Sequence, residues 1–182
     1  MMDTAKQRIS TKTMALIAVM TAVTCVLSPF SIPIGPVPIS LATLTIYLGV
    51  YVLGMMKEAV SVIVYLLIGL VGVPVFSGFS GGPAKLIGPT GGYLVGYVFM
   101  AVVAGAFVDK FDGKIVPSVI GLLLGTVVLY AMGTVWFCIQ AKTGVVSALM
   151  LCVIPFIPGD IAKIIIASFF GISIRKALNR DA

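Results

Sequence analysis

An aspartate and a lysine stand three residues apart in the run PGDIAKIIIASFFGIS, at positions 160 and 163. The residues that follow are almost all apolar. Spacing of three puts Asp160 and Lys163 on one face of a helix. Ionisable residues inside a membrane helix are costly and mark functional sites by default. From Asp160 to Arg175 is 15 residues, or about 22 Å of helix, which sets the pair in the outer half of a bilayer. Contact with a ligand is one role for the pair; a structural ion pair locking this helix to a neighbour is the other.

A second feature is the stretch GVPVFSGFSGGPAKLIGPTGG, Gly72 to Gly92, with seven glycines and three prolines in 21 residues. That is too many for a helix interior. The stretch is also too apolar for an open solvent loop, and non-helical backbone at membrane depth survives only when packed in protein or lining a cavity. Ser77, Ser80, Thr90 and Tyr93 add hydroxyls. The stretch either walls a binding cavity or simply plugs a helix bundle. It is no nucleotide cradle, because Gly88 is followed by Pro89 and the phosphate-binding pattern G-x-x-x-x-G-K-[ST] is absent.

A third feature is a stripe of small residues, Ala15, Ala18 and Ala22. Small residues four apart let helices pack closely in lipid, within one chain or against another membrane subunit. Catalytic patterns are missing. There is no histidine, no G-x-S-x-G and no pair of carboxylates within one apolar run, so an enzyme is not expected. Cys25, Cys138 and Cys152 stand alone in apolar runs, and neither a metal site nor a cofactor is expected.

The elements that must position these residues follow from composition. The chain has 182 residues, 60% of them apolar and 10% charged, with a mean hydropathy of +1.19. An ordinary soluble domain is about 25% charged. The polar residues cannot cover a soluble fold, and the apolar runs approach the ~20 residues that cross a bilayer. An all-α membrane protein of six transmembrane helices is expected, over residues 13–27, 39–53, 58–71, 93–108, 116–139 and 158–178. The long Gly-rich loop then joins helices three and four. An uncharged linker, Pro29 to Pro38, joins the first two, and residues 145–157 read as a partly embedded loop or short helix. Lys6, Arg8 and Lys12 precede the first apolar run with no cleavage pattern after it, so it reads as a membrane helix and not a signal peptide.

The net charge of +6 does not indicate nucleic-acid binding. Lys6, Arg8, Lys12, Lys57, Lys110, Lys114, Arg175, Lys176 and Arg180 would share one face of the membrane, nine residues against Lys85 and Lys142 on the other. The positive-inside rule puts both termini in the cytoplasm. The linker, the Gly-rich loop and the Asp160 end then share the outer side.

Three runs carry a family likeness. GVPVFSGFSGGPAKLIGPTGGYLVGYV, from Gly72 to Val98, resembles the signature loop of the biotin-specific S components of energy-coupling factor transporters. PGDIAK, Pro158 to Lys163, is similar to the family's second signature, and VPISLATLTIYL, Val37 to Leu48, to a third. Where family members often carry glutamine, this chain has Ala42. The resemblance implies a six-helix subunit of the bacterial cell membrane that captures biotin from outside. Its implied partners are a transmembrane coupling subunit and two ATPase subunits, with Ala15, Ala18 and Ala22 facing the coupling subunit. It implies that Asp160 and Lys163 contact the ligand, since a carboxylate accepts from ureido N–H and an ammonium donates to oxygen. Tyr93, Ser77, Phe79 and Gly82 would supply further contacts from the loop. A self-sufficient carrier, or an S component for another small vitamin, is the alternative.

Overall fold

The computed structural model describes residues 10–180; Lys6 and Arg8 lie outside this range, and the side chain of Arg180 is not described. The first helix, α1 (Thr11–Leu27), starts where the Ser10 side chain accepts the Lys12 N–H. It stops before Pro29, which removes a donor and forbids a further turn. The expected linker folds back as a two-stranded hairpin, β1 (Ser31–Ile32) and β2 (Ile39–Ser40), with Ser31 opposite Ser40. Ile39 and Ser40, expected at a helix start, therefore belong to a strand. Their helix, α2 (Ala42–Leu53), begins only after the Ser40 side chain has taken the Ala42 N–H at 2.9 Å.

Gly54 joins α2 directly to α3 (Met55–Leu70). Its φ is +76°, a left-handed conformation that glycine adopts without penalty. The Asp109 carboxylate packs behind it and accepts the Met55 N–H at 2.8 Å. The Gly-rich stretch is not continuous loop: it contains a short helix, α4 (Pro83–Ile87). Next come α5 (Gly91–Lys110) and α6 (Ile115–Ala141), an antiparallel pair. Residues 145–157, left open between loop and short helix, form α7 (Val145–Cys152) and a 3₁₀ turn, Ile154–Phe156. The last helix is α8 (Ile157–Arg180).

Helix α2 is the centre of the fold. It packs on α1, α3, α5 and α8, and Ile46, Tyr47, Val50 and Tyr51 are almost fully buried. The core continues through Met100, Ala104, Leu122 and Leu129 of α5 and α6. By contrast α6 and α8 turn Val127, Val135, Ile165 and Phe169 outward, the arrangement expected where lipid replaces water. Among the described residues three stretches are long and apolar enough to cross a membrane: α5, α6 and the run Val145–Leu178. Helices α1 and α2 are shorter apolar helices; α2, with 12 residues, is about 18 Å long.

The two ends of the bundle differ. At one end Asp109 holds Met55 and Arg175, the latter at 3.1 Å, beside Lys57, Lys110, Lys114 and Lys176. At the other end the hairpin meets the Gly-rich stretch: the Gly78 N–H donates to the Pro29 carbonyl at 3.0 Å, and the Phe30 and Phe79 rings stack edge to face.

Candidate binding site

Asp160 sits in the first turn of α8, where a carboxylate suits the positive end of the helix dipole. Lys163 follows one turn later, and both are buried, at 5% and 8% exposure. Burial of two charges is tolerable only with good geometry and extensive hydrogen bonding, and here all three ammonium donors and both carboxylate oxygens are engaged. The Lys163 ammonium donates to the Ser40 carbonyl at 2.7 Å, to Thr43 Oγ1 at 2.9 Å and to Asp160 Oδ1 at 3.0 Å. An ammonium has three donors, so all are used. Asp160 Oδ1 also accepts from Thr43 Oγ1 at 3.1 Å, and Asp160 Oδ2 accepts from the Tyr130 hydroxyl at 2.6 Å. Oδ2 retains one acceptor position.

These groups line a small cavity. Its floor is Thr43 of α2, Tyr93 and Tyr97 of α5, and Leu129 and Tyr130 of α6; its cover is Val37 to Ser40 of the hairpin. The volume is about 30 Å³, room for a water or two. A drug-sized ligand takes roughly 300 Å³ or more, far beyond this volume. Lys163 bonds the cover's own backbone at Ser40, which makes the ammonium a tie between α8, α2 and the hairpin.

The chain matches the BioY family over residues 2–180. It belongs to the BioY family. Among the relatives of this BioY chain is one named Biotin transporter BioY2, from Lactococcus lactis subsp. cremoris, 35% identical, with 91% of each chain covered. Another is named Biotin transporter BioY, from Thermotoga maritima, 34% identical over 87% of this chain and 92% of the relative. Among solved structures it is similar to one titled as the S-component for biotin from an ECF-type ABC transporter. That match has a TM-score of 0.84 and 32% identity over 91% of each chain. BioY relatives are named as transporters and not as enzymes, and the family with its apolar helices makes this chain a multi-pass membrane protein.

Of the residues singled out in the BioY sequence, the fold brings Asp160, Lys163 and Tyr93 to one cavity. Tyr93 contributes its ring, because its hydroxyl already donates to the Cys152 carbonyl at 3.0 Å. Ser77, Phe79 and Gly82 lie elsewhere. The Ser77 carbonyl accepts from the Ser80 hydroxyl, Phe79 points outward against Phe30 with φ +54°, and the Gly82 N–H donates to the Gly69 carbonyl. The Gly-rich stretch seals the ends of α3 and α5, with Phe76 buried on Gly69 and Tyr65. Ala42 is fully buried and outside the cavity wall. Ala15, Ala18 and Ala22 are exposed on α1, and the last two line an open apolar groove of about 670 Å³ against α3.

Sequence reasoning missed Ser40, Thr43 and Tyr130. The first two lie inside the VPISLATLTIYL run, so their signal was present but unassigned. Tyr130 carried no mark beyond a polar tip in an apolar helix. Glu58 was also missed. Placed by its neighbours at a helix junction, it is 0% exposed, and neither carboxyl oxygen has a hydrogen-bond partner among the described residues. Asp160 is therefore not alone as a buried acid.

Proposed function

We propose that this chain captures biotin at the outer face of the membrane, as the substrate-binding subunit of an ATP-driven transporter of the energy-coupling factor type. The observation that carries the proposal is the buried Asp160–Lys163 pair, hydrogen-bonded except for one position on Asp160 Oδ2 and set in the wall of a cavity. Membership of a family whose relatives are named biotin transporters supplies the ligand.

Biotin offers ureido N–H donors beside a carbonyl acceptor. The open position on Asp160 Oδ2 accepts an N–H, and Lys163 reaches the carbonyl by giving up one of its three bonds. Release of Ser40 is the exchange that also frees the hairpin cover. The apolar ring and tail then lie among Tyr93, Tyr97, Leu129 and Phe156, in the usual pattern of an apolar pocket with few polar groups. The hairpin acts as the lid, and the Gly-rich stretch braces it through Gly78 and Phe79.

Six membrane segments, α1, α2, α3, α5, α6 and α8, run with both termini in the cytoplasm. Lysines and arginines crowd the end away from the hairpin, which supports this orientation. The exposed face of Ala15, Ala18 and Ala22 is the docking surface for a transmembrane coupling subunit, and two ATPase subunits provide the energy. Titration of the purified chain against biotin and a panel of other vitamins is the test. Saturable binding of biotin alone is expected, with uptake in vesicles depending on ATP and the partner subunits. Binding of a different vitamin, or partner-free uptake, would overturn the corresponding half of the proposal.

A further inference from the structure

The seam between α6 and α8 is closed near the hairpin and open at the opposite end. Tyr130 and Asp160 join the two helices at 2.6 Å. Farther along, Ile115, Val119, Ile165, Phe169 and Ile172 line an apolar groove of about 470 Å³. Phe169 is 74% exposed along this groove, its ring met only edge to face by Phe170 among the described aromatic rings.

Charge marks the open end. Lys114 is the residue immediately before α6 and adjoins Ile115. Lys176 lies four residues beyond Ile172 and three beyond Ser173, so it continues the groove-lining face of α8. Among the described residues neither lysine forms an ion pair. Arg175 between them is already committed to Asp109 at 3.1 Å and Asp112 at 3.7 Å. An apolar trough flanked in the chain by two lysines, neither in an ion pair among the described residues, complements a molecule with a long acyl chain and an anionic head.

We infer that this groove seats one anionic phospholipid of the inner leaflet. Its acyl chain lies along Ile115, Val119, Ile165 and Phe169, and its phosphate rests between Lys114 and Lys176. The leaflet, though not the groove, rests on the orientation proposed above. A zwitterionic lipid fills the trough equally well, but its head carries its own cation and leaves the two lysines less well matched. Juxtamembrane lysines favour anionic lipid individually, so two acting together give a preference of about tenfold.

The test is native mass spectrometry of the full chain, purified in non-ionic detergent and equilibrated with equal amounts of phosphatidylglycerol and phosphatidylcholine of matched chains. One retained phosphatidylglycerol, in about tenfold excess over phosphatidylcholine, is expected. Lys114→Gln with Lys176→Gln abolishes the preference, while Lys12→Gln with Lys57→Gln, at the same end but off the groove, keeps it. Equal retention of both lipids by the unaltered chain overturns the inference, and so does loss of preference in both double variants. Thermal unfolding with and without phosphatidylglycerol gives a second readout: stabilisation of the unaltered chain and of Lys12→Gln/Lys57→Gln only is expected, and equal stabilisation of the Lys114→Gln/Lys176→Gln chain overturns the inference. Biotin titration of the same preparations keeps the two proposals apart. A chain that prefers phosphatidylglycerol but ignores biotin leaves the lipid seat standing, whereas biotin binding without lipid preference removes it.

Discussion

Asp160 and Glu58 are both buried acids in an apolar fold, and they are built in opposite ways. Asp160 receives hydrogen bonds from α2, α6 and its own helix and faces a cavity. Glu58 has no partner among the described residues and packs against Gly49 of α2. A Cβ at position 49 would overlap the Glu58 carboxyl, so glycine there is what makes room for it. Burial alone therefore does not identify a binding group. What separates the two is convergence: donors from several elements meet at Asp160 beside open space, and among the described residues no donor meets Glu58.

The largest effect that bears on this contrast is expected from Asp160→Asn, which keeps the shape but turns a pure acceptor into a mixed donor and acceptor. Truncating one side of a buried charged hydrogen bond costs about 2–5 kcal/mol. Biotin affinity should fall by more than about tenfold, measured by titration of folded, monodisperse protein. Unchanged affinity would remove Asp160 from the site and leave it a structural lock. Next comes Gly49→Ala. Overpacking costs about 1–3 kcal/mol, so the melting temperature should drop while the folded protein keeps its affinity. Adding Glu58→Ala should restore part of that loss, and no restoration would show that the carboxyl is not the clashing group.

Tyr130→Phe probes the spare side of Asp160. It deletes one hydrogen bond to a charged group, worth about 1.5–3 kcal/mol at most. Stability of the ligand-free protein should fall, yet biotin affinity should hold within about threefold, because the ligand N–H uses the position on Asp160 Oδ2 that Tyr130 does not fill. A large loss of affinity would instead make Tyr130 a direct ligand contact. The smallest effect belongs to Glu58→Gln. It replaces a buried carboxyl that has no hydrogen-bond partner among the described residues by a neutral group of the same shape, so no costly unpaired charge can form there. Thermal stability should be equal or slightly higher, with binding unchanged. A binding loss there would erase the contrast between the two acids.

These two acids also show how far the sequence could be read. Asp160 and Lys163 stood out because an i, i+3 charged pair opens an otherwise apolar helix, and the fold buries both beside a cavity. Glu58 did not, because Gly54 and Lys57 beside it look like a solvated junction, and only the fold brings Gly49 over its carboxyl. The helices of the bundle were readable from apolar runs to within a few residues. The hairpin was hidden by its prolines, which read as linker although they leave Ser31–Ile32 and Ile39–Ser40 free to pair. For the Gly-rich stretch the sequence left cavity wall and bundle plug side by side. In the fold Gly72, Gly78 and Gly82 take positive φ with no neighbour at the Cβ position, while Gly91 and Gly92 pack closely against Leu86 and Trp136. Thr43 and Tyr130 needed the third dimension, since hydroxyls in membrane helices more often bond their own backbone, as Thr24 does to Met20.

Trp136 is the one tryptophan in the chain. Its indole N–H donates to the Gly88 carbonyl at 2.9 Å, and its ring packs on Gly91 and Gly92. The Gly-rich stretch thus rests against an intrinsic fluorophore on α6, and the hairpin has none. Emission from the unlabelled protein follows the seat of the Gly-rich stretch and not the hairpin cover. Mixed rapidly with ligand, a protein that lifts only its hairpin stays dark to this probe, while one that unseats the Gly-rich stretch changes colour at the rate of that motion.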